Sequence, residues 1–237
     1  MQIQASKQTS VFHGIRHFVA LALIAAGATF ANAENSPIGE LSPAIQDVIQ
    51  KVVPSVKWKE FAKHQDNEGT FLNIFGETEQ GNRVAVEVSP DGKVTDVEKA
   101  VDASALPESL HKLIAEQLPD FKPGEYLQKF EDENLKALDP SSCIYEVSGP
   151  VSEGKSKKLT VELKPGGTFL SIKTEVEVAE VPREIMSALA AKAPKMKVSY
   201  AVRIIQSGEV TSFLLSSPKG RTAYISADGK EVLLHKE

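Results

Sequence analysis

Apolar and polar positions alternate along much of the chain, and one stretch shows the pattern in full. In Arg83–Glu98, RVAVEVSPDGKVTDVE, the residues Val84, Val86 and Val88 alternate with Ala85 and Glu87. A period of two places one set of side chains on a buried face and the other on a wet one, the pattern of a half-buried strand. A turn containing Asp-Gly and a second run of β-branched residues follow, so the stretch reads as a β-hairpin. It returns as Lys158–Lys173, KLTVELKPGGTFLSIK, and as Arg221–Lys236, RTAYISADGKEVLLHK. Two-residue turns with positive φ at glycine are expected at Asp91-Gly92 and Asp228-Gly229.

Three helical stripes precede these hairpins. Ser42 stands as an N-cap before Pro43, Ile45, Val48, Ile49 and Val52 share one face, and Pro54 closes the segment. Pro107 opens a second segment with Leu110, Leu113 and Ile114 on its face, closed by Pro119. Pro182 opens a third, with Ile185, Met186 and Leu189, closed by Pro194. A strand-like stretch follows each closing proline: Ser55–Lys63, Asp120–Gln128 and Lys195–Arg203. A further strand candidate comes next: Thr70–Phe75, Cys143–Ser148 and Val210–Ser216.

One helix and then four strands, three times over, predict an α+β fold of three tandem units, each one helix packed on a four-stranded antiparallel sheet. The expected boundaries are 1–33 for a signal peptide, then 34–105, 106–180 and 181–237 for the units. Glu34–Leu41 reads as a short flexible lead. Lys129–Ser142, KFEDENLKALDPSS, reads as a long acidic loop inserted in the second unit.

The first residues carry an address. Lys7 and Arg16 precede an apolar run, Phe18–Phe30, and then Ala31-Asn32-Ala33. A basic start, a short apolar stretch and a small-x-small site predict a secretory signal peptide cleaved after Ala33, with Ala31 and Ala33 as its recognition residues. The run is shorter than the ~20 residues a bilayer span needs, so no membrane anchor is expected after cleavage. Removing Lys7 and Arg16 takes the net charge from −5 to −7. An acidic chain without a basic patch argues against nucleic acid as a partner.

The chain offers little by way of catalytic motifs. In residues 34–237 no H-x-x-x-H, H-E-x-x-H or C-x-x-C spacing, G-x-S-x-G elbow or G-x-G-x-x-G fingerprint occurs, and the G-x-x-x-x-G-K-S string at Gly149–Ser156 runs between two strand candidates with no helix after it, so no catalytic, cofactor or metal residue is assigned. The acidic stretches at 66–69 and 131–134 do not match a calcium loop. Cys143, the single cysteine, cannot form an internal disulfide and is expected as a buried apolar thiol.

The hairpin pattern E-V-x-x-x-G-x-V at Glu87–Val94 followed by Leu106-Pro107, and Tyr145–Gly149 through Gly167 followed by Val181-Pro182, resembles the PepSY-like family of exported bacterial proteins. In tandem, the same architecture is similar to the β-lactamase inhibitory protein. The resemblance implies a periplasmic or extracellular protein that binds a protein or peptide, as a peptidase inhibitor or regulator, and carries over no catalytic residue. The expected function is therefore non-enzymatic binding of a protein or peptide through a β-sheet surface. A hydrolase of unknown type and a structural component of the cell envelope are the alternatives. Trp58 and Tyr126 are the partner-binding candidates, each following a closing proline at a similar point and each expected on the sheet face turned away from the helices. Core packing is their competing role.

Overall fold

The computed structural model describes residues 35–65, 69–131, 135, 138–151, 157–206 and 208–235. The signal-peptide assignment, with Ala31 and Ala33, lies outside the described residues.

Prolines set the three α-helices found among these residues. The first, α1, is Pro43–Val52, and the Ser42 hydroxyl accepts a hydrogen bond from the Ile45 amide at its start. The others, α2 and α3, are Glu108–Gln117 and Arg183–Lys192, entered through Pro107 and Pro182. Each ends two residues before the closing proline, which disfavours helical geometry in the residue ahead of it. A single turn of 3-10 helix precedes each α-helix, at Ile38–Glu40, Ala103–Ala105 and Val178–Glu180.

Thirteen strands are described: β1 (Ser36–Pro37), β2 (Val56–Gln65), β3 (Thr70–Thr78), β4 (Arg83–Val88), β5 (Val94–Val101), β6 (Glu125–Glu131), β7 (Ile144–Pro150), β8 (Lys158–Leu163), β9 (Phe169–Val176), β10 (Tyr200–Gln206), β11 (Glu209–Ser216), β12 (Thr222–Ser226) and β13 (Val232–His235). They form one antiparallel sheet in strict sequence order.

This overturns the expected fold class. The α+β reading of three tandem units, each one helix on its own four-stranded sheet, is replaced by a mostly β protein built on one thirteen-stranded sheet. The physical reason lies in the strands before the second and third helices. β5 pairs with β6 from Asp96↔Glu131 to Val101↔Tyr126, although α2 lies between them in the chain. β9 pairs with β10 across α3 in the same way. Edge strands left unpaired at each helix would have exposed rows of N–H and C=O groups, and pairing across the helices removes those edges.

The core follows the same continuity. Ile49 of α1, Val53 just past its end, and Leu110 and Ile114 of α2 belong to one apolar cluster with Ile74, Val86, Val97, Phe130, Val147 and Val161 of the sheet. Ile185 and Leu189 of α3 pack with Ala201, Phe213, Leu215 and Ile225. Ile172 packs with the first cluster and Val176, four residues on in the same strand, with the second. Strand side chains four apart point the same way, so all three α-helices cover one face of the sheet.

Two smaller expectations are also corrected. The lead is not free: Ser36 and Pro37 pair with Phe61 and Glu60 as the short edge strand β1. Lys129, Phe130 and Glu131 are not loop residues but the end of β6, and Phe130 is fully buried. The glycines do take positive φ, +82° at Gly92 and +69° at Gly229. Their turns are longer than two residues. Ser89 N–H donates to Lys93 O around Pro90, Asp91 and Gly92, while Ser226 N–H donates to Glu231 O around four residues. In each, the glycine amide also donates to the serine carbonyl, and glycine supplies the left-handed position that ends such a turn.

Candidate functional site

Strand alternation that buries Val84, Val86 and Val97 beneath the helices sends their neighbours to the opposite face. On this helix-free face stand Ala85, Glu87, Asp96, Glu98, Leu127, Lys129, Glu146, Glu162, Ser171 and Lys173, as the register pairs Glu87↔Asp96, Asp96↔Glu131, Glu146↔Glu162 and Glu162↔Ser171 require. Two small apolar groups flank the charges. One is Ala85 and Leu127 with Phe75 and Ala100; the other is Val202, Ile204 and Tyr224 with Leu214.

The charged centre is buried. Asp96 is 0%, Glu98 1%, Glu162 1% and Lys129 4% exposed. Lys129 Nζ lies 3.4 Å from Glu98, 3.4 Å from Glu162 and 3.9 Å from Glu146. Lys173 Nζ lies 3.1 Å from Glu162 and 4.0 Å from Glu146. The Ser171 hydroxyl donates to the second Glu162 oxygen. Buried charges persist only with partners and hydrogen bonds, and Glu162 has both.

The environments set the carboxyls apart. Burial alone would raise Glu162, but Lys173, Lys129 and the Ser171 hydroxyl hold it down at about 2. Burial pushes Glu98 up to about 7, Lys129 opposing and Glu146 reinforcing the shift. Asp96 is raised well above the ordinary carboxylate range, by burial first and then by Glu98. For Lys129, burial opposes the charge, yet Glu162, Glu98, Glu146 and Asp96 together hold the ammonium well above its ordinary range. Chemically the cluster can hold and release protons. Among the described residues no group of three or more His, Cys, Asp or Glu side chains is arranged to hold a metal ion.

The two aromatic candidates stand elsewhere, and apart from one another. Trp58 pairs with Gly76, whose missing side chain leaves room for Val56 and the Trp58 ring. Tyr126 lies on β6 with its ring centroid 6.0 Å from that of His111 on α2. Both side chains are half-buried and pack against the helix-side cluster, not on the face turned away from the helices. A bulge between Trp58 and Glu60 shifts the alternation of β2, which a reading by simple period two does not anticipate. His111 Nε2 is 2.9 Å from the Ala103 carbonyl. Cys143 is buried, and burial raises its thiol to about 11.

Sequence reasoning passed over the charged cluster. Its members occupy the polar positions of alternating strands, which read as a solvated face. The only sequence signal was the density of acids at those positions in β4, β5, β7 and β8.

No family model matches the chain, and no curated protein matches it. Several solved structures are similar to part of it. A β-lactamase-inhibitory-protein-like (BLIP-like) protein from Bacteroides fragilis matches with 19% identity and a TM-score of 0.42, covering 60% of this chain and 93% of that one. A DUF2874 family protein from Bacteroides uniformis matches with 10% identity and a TM-score of 0.45, covering 56% of this chain and 89% of that one. Another from Bacteroides ovatus matches with 12% identity and a TM-score of 0.43, covering 56% and 86%. With every TM-score below 0.5, these likenesses carry no statement about what the chain does.

Proposed function

We propose that the chain is an exported, non-enzymatic protein that binds a protein or peptide partner through the β10–β13 end of its sheet. The placement of its exposed apolar side chains carries this reading. Among the described residues the large apolar side chains left most open are Tyr200, Val210, Leu233 and Leu234, each 40–43% exposed. All four belong to β10, β11 and β13. Tyr200 and Val210 stand toward opposite ends of the β10–β11 pair, whereas Leu233 and Leu234 lie side by side on the last strand, and exposed apolar side chains set together mark interaction surfaces where single ones do not.

The strand geometry supplies a mode of binding. β13 is the last strand of the sheet, so one of its edges meets no described strand. An extended partner segment can add there through main-chain hydrogen bonds. Leu233 stands opposite Tyr224 and Leu234 opposite Ala223, so the two leucines project to opposite faces and a strand laid along the edge would meet both. The other edge, β1, has two residues, and its Pro37 lacks an N–H to offer.

The test is capture from periplasmic and extracellular fractions with the wild-type chain and with a Leu233→Glu/Leu234→Glu variant, followed by titration of the purified captured protein. Wild-type binding weakened at least tenfold in the variant is the expected result. Equal binding by both chains would move the site away from β13.

A further inference from the structure

A row of side chains crosses the helix-free face in register: Asn73 on β3, Glu87 on β4, Asp96 on β5 and Glu131 on β6. Three consecutive members are acids, and like charges placed opposite one another across strands repel. Asp96, in the middle, is 0% exposed, and neither of its carboxylate oxygens has a hydrogen-bond partner. An ionised carboxylate there has lost its hydration without replacement, while the neutral acid has far less to lose.

The groups facing Asp96 and Glu98 come from every neighbouring element. Glu87 comes from β4, Glu131 and Lys129 from β6, Glu146 from β7 and Lys173 from β9, and Glu162 on β8 stands behind Lys129, 3.4 Å from its Nζ. Among the described residues this part of the face holds six carboxyl groups and two ammonium groups. Lys173 and Ser171 engage Glu162, and Lys129 is shared among Glu98, Glu146 and Glu162. A proton held by Asp96 or Glu98 lowers that excess, Asp96 being a carboxyl whose oxygens accept no hydrogen bond. The seam where that proton would act is also the least tethered kind: α2 separates β5 from β6, and Asp96↔Glu131 is the pair farthest from that connection.

We infer that the Asp96–Glu98 pair is a proton-operated latch on the β5–β6 seam, closed when it holds a proton and loosened when the proton leaves. Burial disfavours the charged form of both groups, and it raises Glu98 to about 7, which puts that group's release near neutral pH. A group that must lose its proton for the seam to open, titrating at about 7 in the closed state, changes the opening equilibrium about tenfold between pH 6 and pH 8.

Amide hydrogen exchange of the full chain at pH 6 and pH 8, with exchange times scaled to the intrinsic rate, tests this. β5 and β6 should be about tenfold better protected at pH 6 than at pH 8, with β2, β3, β11 and β12 changing little. Glu98→Gln should remove most of that difference, and Asp96→Asn serves the same purpose should the first variant fail to fold. In the unsubstituted chain, carboxyl carbon-13 titration should show Glu98 losing its proton near neutral pH. Equal protection at both pH values, a change spread evenly over the sheet, or both carboxyls titrating below pH 5 would overturn the latch.

Discussion

Replacing Lys129 with methionine would test the buried cluster most directly. Methionine keeps much of the apolar stem of lysine and deletes the ammonium that stands within 4 Å of Glu98, Glu146 and Glu162. Lys173 still holds Glu162 at 3.1 Å and stands 4.0 Å from Glu146, so Glu98 loses its lysine partner and Glu146 loses one of two. Glu98 sits near 7 and yields its charge at little cost. Forcing a carboxyl of ordinary pKa, ~4.3, to stay protonated at pH 7 costs about 4 kcal/mol, at 1.36 kcal/mol per unit. That agrees with the ~3–5 kcal/mol typical of removing one partner from a buried ion pair. The expected loss at pH 7 is therefore about 3–4 kcal/mol, shrinking to about 1 kcal/mol at pH 5, where protonation is nearly free. Urea unfolding followed by the fluorescence of Trp58, the only tryptophan, measures both values. A loss below about 1 kcal/mol at pH 7, or one unchanged at pH 5, would refute the claim that Lys129 neutralises buried acids.

In the unsubstituted chain, Glu98, raised to about 7, contributes stability fully present below its ordinary value and lost as pH rises through 7. Glu162, lowered to about 2, contributes stability present above its ordinary value and lost as pH falls through 2. Thermal unfolding from pH 2 to 9 should peak on the acid side of neutrality; a monotonic rise to pH 9 would contradict the Glu98 assignment, and no loss of stability between pH 5 and pH 2 would contradict the Glu162 one. A Cβ at Gly149 would run into the Lys122 carbonyl, whereas one at Gly166 meets nothing within 4 Å. Gly149→Ala should cost at least ~2 kcal/mol and Gly166→Ala stay within ~0.5 kcal/mol by chemical denaturation. Trp58→Ala should destabilise by ~2–4 kcal/mol because its ring packs in the helix-side cluster. Trp58→Phe should cost much less, since the buried Trp58 Nε1 has no hydrogen-bond partner to lose. Mass spectrometry of the protein recovered outside the cytoplasm should find Glu34 at the N-terminus.

Much of the fold was legible because proline and glycine act locally. Pro43, Pro107 and Pro182 mark the helix starts to within a residue, and Gly92, Gly167 and Gly229 lie at their expected turns with positive φ. What periodicity leaves open is which strands become neighbours. The alternation in Val94–Val101 is equally consistent with a sheet that ends there and with one that continues to β6, so the single sheet escaped a strand-by-strand reading. The cluster was hidden for a related reason. Glu98 and Glu146 occupy positions that would be wet on an isolated four-stranded sheet, yet they are 1% and 3% exposed. Lys129 was further disguised by the polar run that follows it, which made the end of β6 resemble a loop. Trp58 and Tyr126 were assigned to the wrong face because period two is broken by the β2 bulge and gives no sign of which face a helix will cover.

The strict order β1 to β13 bears on how the chain is made. Each strand's partner is the one synthesised just before it, so a chain emerging N-terminus first always has a finished edge waiting for the next strand. Such pairing closes short loops and keeps the search local, which favours rapid folding for an all-antiparallel sheet. It also makes every partly synthesised chain end in an open edge, so the polar residues that line β5 and β6 would serve a growing chain as a guard against pairing with another copy.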